Sequence, residues 1–168
     1  MPEPTPELLA WTDGGCRGNP GGPGAWAFVL VHRPTGRTLC RAAAVDETTN
    51  NRMELSAAIE VLKTLRRPDP IEVRSDSRYL VDMVTSWMPR WASAGWKKKG
   101  GPILNLDLVM ALHELTGRPG VRFTWVRGHS GDPGNELADQ LANLAMDALA
   151  RGQRDPVERR LDAPPFVL

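Results

Sequence analysis

Four carboxylates in this chain stand where an apolar run meets a polar cluster. Asp13 follows Leu8-Leu9-Ala10-Trp11-Thr12 and precedes a glycine turn, and Glu54 comes just after Thr48-Thr49-Asn50-Asn51. Asp76 ends the run that begins at Ile71, and Asp139 lies between Leu137 and Leu141, beside an apolar stripe. Taken singly, each has an ordinary explanation: Asp76 can cap the helix that follows it, and Glu54 can offset a helix dipole. Together they form an oxygen-donor set for hard cations, since Mg²⁺ is usually bound through a few carboxylates plus substrate phosphate oxygens. Two such ions about 4 Å apart can activate a water on one side of a phosphodiester and stabilise the leaving oxygen on the other. Four carboxylates clustered without cations repel one another, so such a site is tolerable where cations normally fill it.

The elements that must position these acids follow from periodicity. Leu8–Cys16, residues 25–32 and Thr38–Val45 are apolar or alternating runs separated by Gly/Pro-rich turns, which predicts an antiparallel meander. From Asn51 the spacing of Leu55, Ala58, Ile59, Leu62 and Leu65 is helical, and Pro68 and Pro70 stop that helix. Ile71–Ser75 reads as a strand, residues 77–87 and 105–115 as helices, residues 121–126 as a strand and Pro133–Ala150 as a final helix. The expected architecture is α/β: one five-stranded mixed sheet, its first three strands antiparallel, flanked by helices. The expected organisation is an N-terminal extension over 1–7, a catalytic domain over 8–150 and a mostly disordered tail over 151–168, rich in proline and mixed charge, whose end Pro164-Pro165-Phe166-Val167-Leu168 can dock locally.

Composition narrows the function classes. The chain has 168 residues, 21 Lys+Arg against 20 Asp+Glu, and a formal net charge of +1. This length suits one domain, which buries ~70% of its unfolded surface and needs no disulfide or metal to fold. A charge so near zero excludes a binder that works by bulk positive charge. The N-terminal stretch has no basic segment before an apolar run, and no apolar run approaches ~20 residues. A cytoplasmic monomer without membrane association is therefore expected. Cys16 and Cys40 lack a C-x-x-C pattern and read most simply as reduced thiols, though a single disulfide also fits the sequence.

Several motifs fail their context tests. Gly22-Pro23-Gly24-Ala25-Trp26-Ala27 fits a loose dinucleotide fingerprint but precedes a strand instead of joining strand to helix. There is no G-K-[ST], His113-Glu114 lacks a second histidine, and the three histidines are scattered without zinc spacing. The stretch between Asp82 and Asp107 contains no acid, and it interleaves Trp87, Trp91 and Trp96 with Arg90, Lys97, Lys98 and Lys99. Two readings fit it: a lobe that neutralises nucleic-acid phosphates, or a tryptophan-anchored hairpin with merely solvated lysines. Only the first predicts salt-dependent binding.

Five blocks then occur in one order. They are Thr12-Asp13-Gly14-Gly15-Cys16 with Gly18-Asn19-Pro20-Gly21, Thr49-Asn50-Asn51-Arg52-Met53-Glu54-Leu55, Asp76-Ser77, Val126-Arg127-Gly128-His129-Ser130-Gly131, and Asn135-Glu136-Leu137-Ala138-Asp139. This set resembles the bacterial type 1 ribonuclease H family over nearly everything from Leu8 to Ala150. The resemblance implies hydrolysis of the RNA strand of RNA–DNA hybrids, leaving 5′-phosphate and 3′-hydroxyl ends, in the removal of hybrids and RNA primers during replication and repair. It implies two Mg²⁺ ions with substrate bound, replaceable by Mn²⁺. Asp13 would bridge both, Glu54 and Asp76 would hold the ion near the leaving group, and Asp139 the ion near the attacking water. His129, on a glycine-flanked loop, would assist proton transfer or product departure.

The resemblance also implies the substrate contacts. Sensing of the 2′-hydroxyl falls to the backbone around Cys16 and Gly18 and to Asn19, Asn50, Glu54 and Arg78, with Asn51 nearby. Trp87 and Tyr79 would line a channel for deoxyribose, and Thr49 with Asn105 would hold a DNA phosphate. The basic protrusion, at about 87–104, would embrace the DNA strand through Trp91, Trp96, Lys97, Lys98 and Lys99. Three features depart from the family pattern: Arg78 where Gln is usual, Ala92-Ser93-Ala94 where basic residues are frequent, and Glu47 near the phosphate pocket. The last two predict weaker hybrid affinity than in a more basic relative.

Overall fold

In the computed structural model, residues 5–168 are described, so most of the N-terminal extension expected over 1–7 lies outside the described residues. The strands are β1 (Leu8–Cys16), β2 (Gly24–His32), β3 (Thr38–Val45), β4 (Ile71–Ser75), β5 (Val121–Trp125) and β6 (Val157–Leu161). The helices are α1 (Asn50–Lys63), α2 (Arg78–Asp82), α3 (Met88–Ser93), α4 (Leu106–Thr116) and α5 (Pro133–Ala150). The sheet order is β5-β4-β1-β2-β3-β6. The β1–β2, β2–β3 and β3–β6 pairs are antiparallel, and β4 runs parallel to both β1 and β5.

Alternation along β1 divides the core into two layers. Ala10 faces one side, where Phe28, Leu55, Ala58, Leu62, Ile71, Val73, Val109 and Leu112 pack beneath α1 and α4. Leu9 and Trp11 face the other, where Val29, Val31, Cys40 and Ala42 meet Ala138, Leu141, Ala142 and Ala145 of α5. A methyl group at Gly134 would overlap the Trp11 indole ring, so the first turn of α5 sits directly on that ring. Among the described residues no helix is long and apolar enough to cross a membrane, and both cysteines are free thiols.

Two expectations are corrected. Among the described residues the sheet has six strands, not five, because the tail expected to be mostly disordered adds β6 along β3, Thr38 opposite Leu161 and Ala42 opposite Val157. The strand is hidden in the sequence because Glu158, Arg159 and Arg160 show no apolar alternation. At a sheet edge the ladder bonds suffice, and charge there discourages further pairing. Arg41 pairs with Glu158 at 3.1 Å, Arg154 with Asp46 at 2.8 Å, and Phe166 packs edge-on against Trp11 at 5.2 Å. The helix expected over 77–87 also continues, through a π-turn at Met83–Trp87, into α3. Pro89 has no amide to donate and its ring would crowd the carbonyl four residues back. The wider turn, in which the Met88 amide donates to the Met83 carbonyl, absorbs that conflict.

Candidate active site

Register alone brings two of the four acids together. Thr12 lies opposite Ser75 in the parallel β1–β4 pair, so the next residues, Asp13 and Asp76, emerge side by side at the same end of the sheet. Thr49 caps α1 by accepting from the Arg52 amide at 3.2 Å, and this fixes the first turn that carries Glu54. That turn can cross β1 because Gly14 has no side chain: a methyl group there would fall inside the backbone of Met53 and Glu54. Asp13 points to the Trp11 side of the sheet, where α5 supplies Asp139. Asp132 starts α5 by accepting from the amides of Gly134 and Asn135.

One oxygen each from Asp13, Glu54 and Asp76 lie within 4.8 Å of one another. Asp139 and His129 line the same cavity of about 280 Å³ as Asp13 and Asp76. Asp13 and Glu54 are each only 8% exposed. The Asp13 carboxyl is pushed up to about 8, first by burial and then by the charges of Asp76 and Asp139, against the Gly14 amide. Burial, followed by Asp13 and Asp76, also holds Glu54 well above its ordinary range. Asp76 is raised by burial and Asp139, and His129 opposes the shift.

Glu72 shows what arginine partners do to a buried carboxylate. It is 6% exposed, as buried as Asp13 and Glu54, and burial would raise it. Hydrogen bonds from Arg74 at 3.0 Å and Arg122 at 3.1 Å outweigh that and lower it instead. Among the described residues, the site carboxylates have no such arginines. Oε2 of Glu54 is buried without any hydrogen-bond partner among the described residues. A converging set of oxygen donors, mutually repelling and one of them orphaned, fits a divalent cation.

The surrounding residues form three groups. Asn50 Oδ1 accepts from the Cys16 amide at 2.8 Å, and the Asn50 amide donates to Asn19 Oδ1 at 3.1 Å, so the β1–β2 loop that includes Gly18 is tied to the start of α1. Asn51 is exposed on that same first turn. In the second group Asn105, left-handed at φ 59°, donates to the Tyr79 hydroxyl at 3.1 Å. Arg52 reaches Asn105 Oδ1 at 3.5 Å and Asp107 at 2.8 Å, joining Thr49 to Asn105 through its own backbone and side chain. In the third, Tyr79, Trp87, Trp91 and Lys98 line a groove of about 320 Å³. Trp87 stands 6.0 Å from Tyr79 and 6.3 Å from Trp91. Trp96 packs away from that groove, edge-on to His113 at 5.2 Å, while Lys97 and Lys99 are exposed.

Sequence reasoning missed three supporting side chains. Asn135, 4% exposed, donates to Asp76 Oδ2 at 3.3 Å. Trp125 donates its indole N–H to the Asp76 carbonyl at 3.1 Å, and Arg78 lies 4.0 Å over its ring. Arg52 is the third. Asn135 and Arg52 stand inside the five sequence blocks. Only the fold shows what they touch.

The RNase H family model matches residues 5–147. The chain belongs to the RNase H family. It is 46% identical over 146 residues to the ribonuclease H of Pseudomonas paraeruginosa, covering 86% of this chain and 97% of that protein. It is 43% identical over 157 residues to the ribonuclease H of Methylococcus capsulatus, covering 93% of this chain and 99% of that one. Among solved structures, LC9-RNase H1, a type 1 RNase H with the type 2 active-site motif, is 33% identical with a TM-score of 0.74, covering 97% of this chain and 78% of that chain. LC11-RNase H1, solved in complex with an RNA/DNA hybrid, is 30% identical with a TM-score of 0.63, covering 85% and 99%. Ribonucleases H are endoribonucleases, and this chain is such a hydrolase, acting on RNA in RNA–DNA hybrids. Its acidic cluster is compatible with the divalent metal use of the family.

Proposed function

We propose that this protein hydrolyses RNA within RNA–DNA hybrids by two-metal-ion catalysis, leaving 5′-phosphate and 3′-hydroxyl ends, as a cytoplasmic monomer that removes hybrids and primers during replication and repair. The observation that carries the reading is the convergence of Asp13, Glu54 and Asp76 within 4.8 Å, with Asp13 and Glu54 buried and no compensating arginine among the described residues. Asp13 would hold both Mg²⁺ or Mn²⁺ ions, Glu54 and Asp76 the one on the leaving-group side, and Asp139 the one on the water side. Bound there, the cations supply activation of the attacking water and charge stabilisation of the departing oxygen.

The chain's own groups do the rest. Asn135 and Trp125 hold Asp76 from its carboxylate and its backbone, and Gly14 lets Glu54 approach Asp13. His129, exposed and left-handed at φ 54°, is free at the rim to accept a proton on its imidazole or to attend the departing product. The linked Cys16–Asn19–Asn50 segment offers donors and acceptors to a 2′-hydroxyl, and Gly18, Asn51, Glu54 and Arg78 would share that role. Thr49 and Asn105 suit a DNA phosphate, Tyr79 and Trp87 a deoxyribose, and Trp91, Trp96 and Lys97–Lys99 the DNA strand beyond.

The test incubates the protein with Mg²⁺ and end-labelled RNA–DNA hybrid, double-stranded RNA and double-stranded DNA. Internal cuts in the hybrid's RNA alone, with 3′-hydroxyl ends that a polymerase can extend, are expected. Cutting of DNA, or an intact hybrid, would contradict the reading.

A further inference from the structure

Arg17 stands outside every role given above, yet it lines the catalytic cavity together with Asp13, Asp76, Asp139 and His129. It follows Cys16 at the end of β1, and its side chain spans the rim to α5. Nη1 lies 2.8 Å from Asp147 Oδ1, and Nη2 donates to Asn143 Oδ1 at 3.3 Å. Asn143 and Asp147 are one and two helical turns beyond Asp139 along α5, so the guanidinium is parked on that helix just past the acid. Asn143 in turn donates to the Asp139 carbonyl at 3.0 Å.

We propose that Arg17 is a substrate-binding residue, held at the cavity rim by Asp147 and Asn143 until a phosphate of the RNA strand replaces them. The inference rests on the function proposed above. Three observations carry it. Arg17 is the one permanent cation among the described residues lining a cavity whose other charges are chiefly carboxylates, so a phosphodiester entering there meets repulsion that only Arg17 constantly offsets. Its latch is cheap to open: the Arg17 and Asp147 side chains are 44% and 50% exposed, and exposed ion pairs contribute little. A phosphate can take over the ion pair with Asp147 and the hydrogen bonds that Asn143 accepts from Nη2 through its side-chain and main-chain oxygens, because the planar guanidinium fork matches phosphate oxygens. The backbone beneath is already fixed by the Cys16–Asn50 bond, and the strand being cut is the one that lies in this cavity.

The test compares full-length Arg17→Ala, Arg17→Lys and Asp147→Asn on one labelled RNA–DNA hybrid across a salt series. Cleavage gives KM and kcat, and fluorescence anisotropy gives binding. For Arg17→Ala the expected result is a KM about tenfold higher with kcat within about twofold, and a salt slope lower by about one. Arg17→Lys should keep the slope. Asp147→Asn, which releases Arg17, should lower KM by about twofold. A purely structural staple predicts the opposite pattern, with Arg17→Ala and Asp147→Asn shifting KM in the same direction and losing the same thermal stability. That result, or an Arg17→Ala protein with unchanged KM and slope, overturns the role. An intact hybrid with the unaltered protein overturns the underlying functional reading instead, and the anisotropy slope still judges Arg17 by itself.

Discussion

The acidic site draws its carboxylates from β1, α1, α5 and the residue just past β4, all anchored to the core, whereas the tryptophan–lysine lobe hangs Lys97, Lys98 and Lys99 on the excursion between α3 and α4. In the cavity, like charges are crowded and desolvated, and the fold holds them together against their repulsion. In the lobe, none of Lys97, Lys98 and Lys99 is paired with an acid among the described residues; Lys97 and Lys99 stand in water and Lys98 is half-buried at the groove. The cavity therefore carries an electrostatic cost in the free protein that a cation removes, while the lobe carries none until a phosphate arrives. Net charge near zero conceals both, because the two sites cancel in the sum.

The sharpest way to break this contrast is Asp13→Asn, which should abolish cleavage. It should also change stability, with a sign fixed by the raised carboxyls. Asp13 binds its proton up to about pH 8 in the folded protein but only to about 3.8 when unfolded. Its contribution is thus fully present below the unfolded value and is lost as pH rises toward 8. The metal-free protein should melt progressively lower between about pH 5 and pH 8, and Asp13→Asn should flatten that fall and melt several degrees higher at pH 8. Mg²⁺ should raise the wild-type midpoint more than the variant's. Calorimetry in EDTA and in Mg²⁺ reads all three, and a pH-independent wild-type midpoint would mean that the carboxylates are not electrostatically strained.

Next in size is Gly14→Ala. The methyl group has to displace the backbone of Met53 and Glu54, so overpacking of about 3 kcal/mol is expected, a midpoint lower by roughly 6–12 °C. Because the displaced segment carries Glu54, kcat should fall even at temperatures where the variant is folded. A folded variant with wild-type kcat would show that the crossing of α1 over β1 does not set the site.

The cavity is largely legible in the sequence because its acids are punctuation: each ends a strand or begins or lines a helix, and those boundaries are what periodicity reveals. What periodicity does not reveal is adjacency. That Asp13 and Asp76 are neighbours follows from the parallel β1–β4 register, and that Asn135 and Trp125 hold Asp76 follows from where α5 begins and β5 ends. The order of the tail is illegible for a related reason. β6 is held by ladder bonds along β3, and Phe166 by a distant indole, and neither leaves a local pattern. In the lobe, composition shows the cations and tryptophans but not that Trp96 turns to His113 while Trp87 and Trp91 stack toward Tyr79.

A smaller effect separates the two accounts of the lobe. Replacing Lys97, Lys98 and Lys99 together by Ala should leave kcat near wild type, raise KM for the hybrid, and reduce the salt slope by up to ~0.9 for each phosphate no longer neutralised. Thermal stability should hardly move, since none of the three has an acid partner among the described residues and only Lys98 is partly buried. Equal slopes for variant and parent would make the lysines merely solvated and leave nucleic-acid binding to the cavity and the Tyr79–Trp87 groove.

Smallest of all should be Gly95→Ala, and it tests the contrast from the lobe's side. Gly95 sits at φ 72° with nothing within 4 Å of an added methyl group, so the only cost is the left-handed backbone of an L-residue, about 1 kcal/mol or roughly 2–4 °C. The same chemical change at Gly14 meets packed backbone, and at Gly95 it meets solvent. If placement in the cavity is set by contact and placement in the lobe by local conformation, Gly95→Ala loses a little stability and keeps kcat, because the lobe positions no reacting group. A loss of kcat at Gly95 comparable to that at Gly14 would mean that lobe and cavity act as one mechanical unit, and the distinction between them would fail.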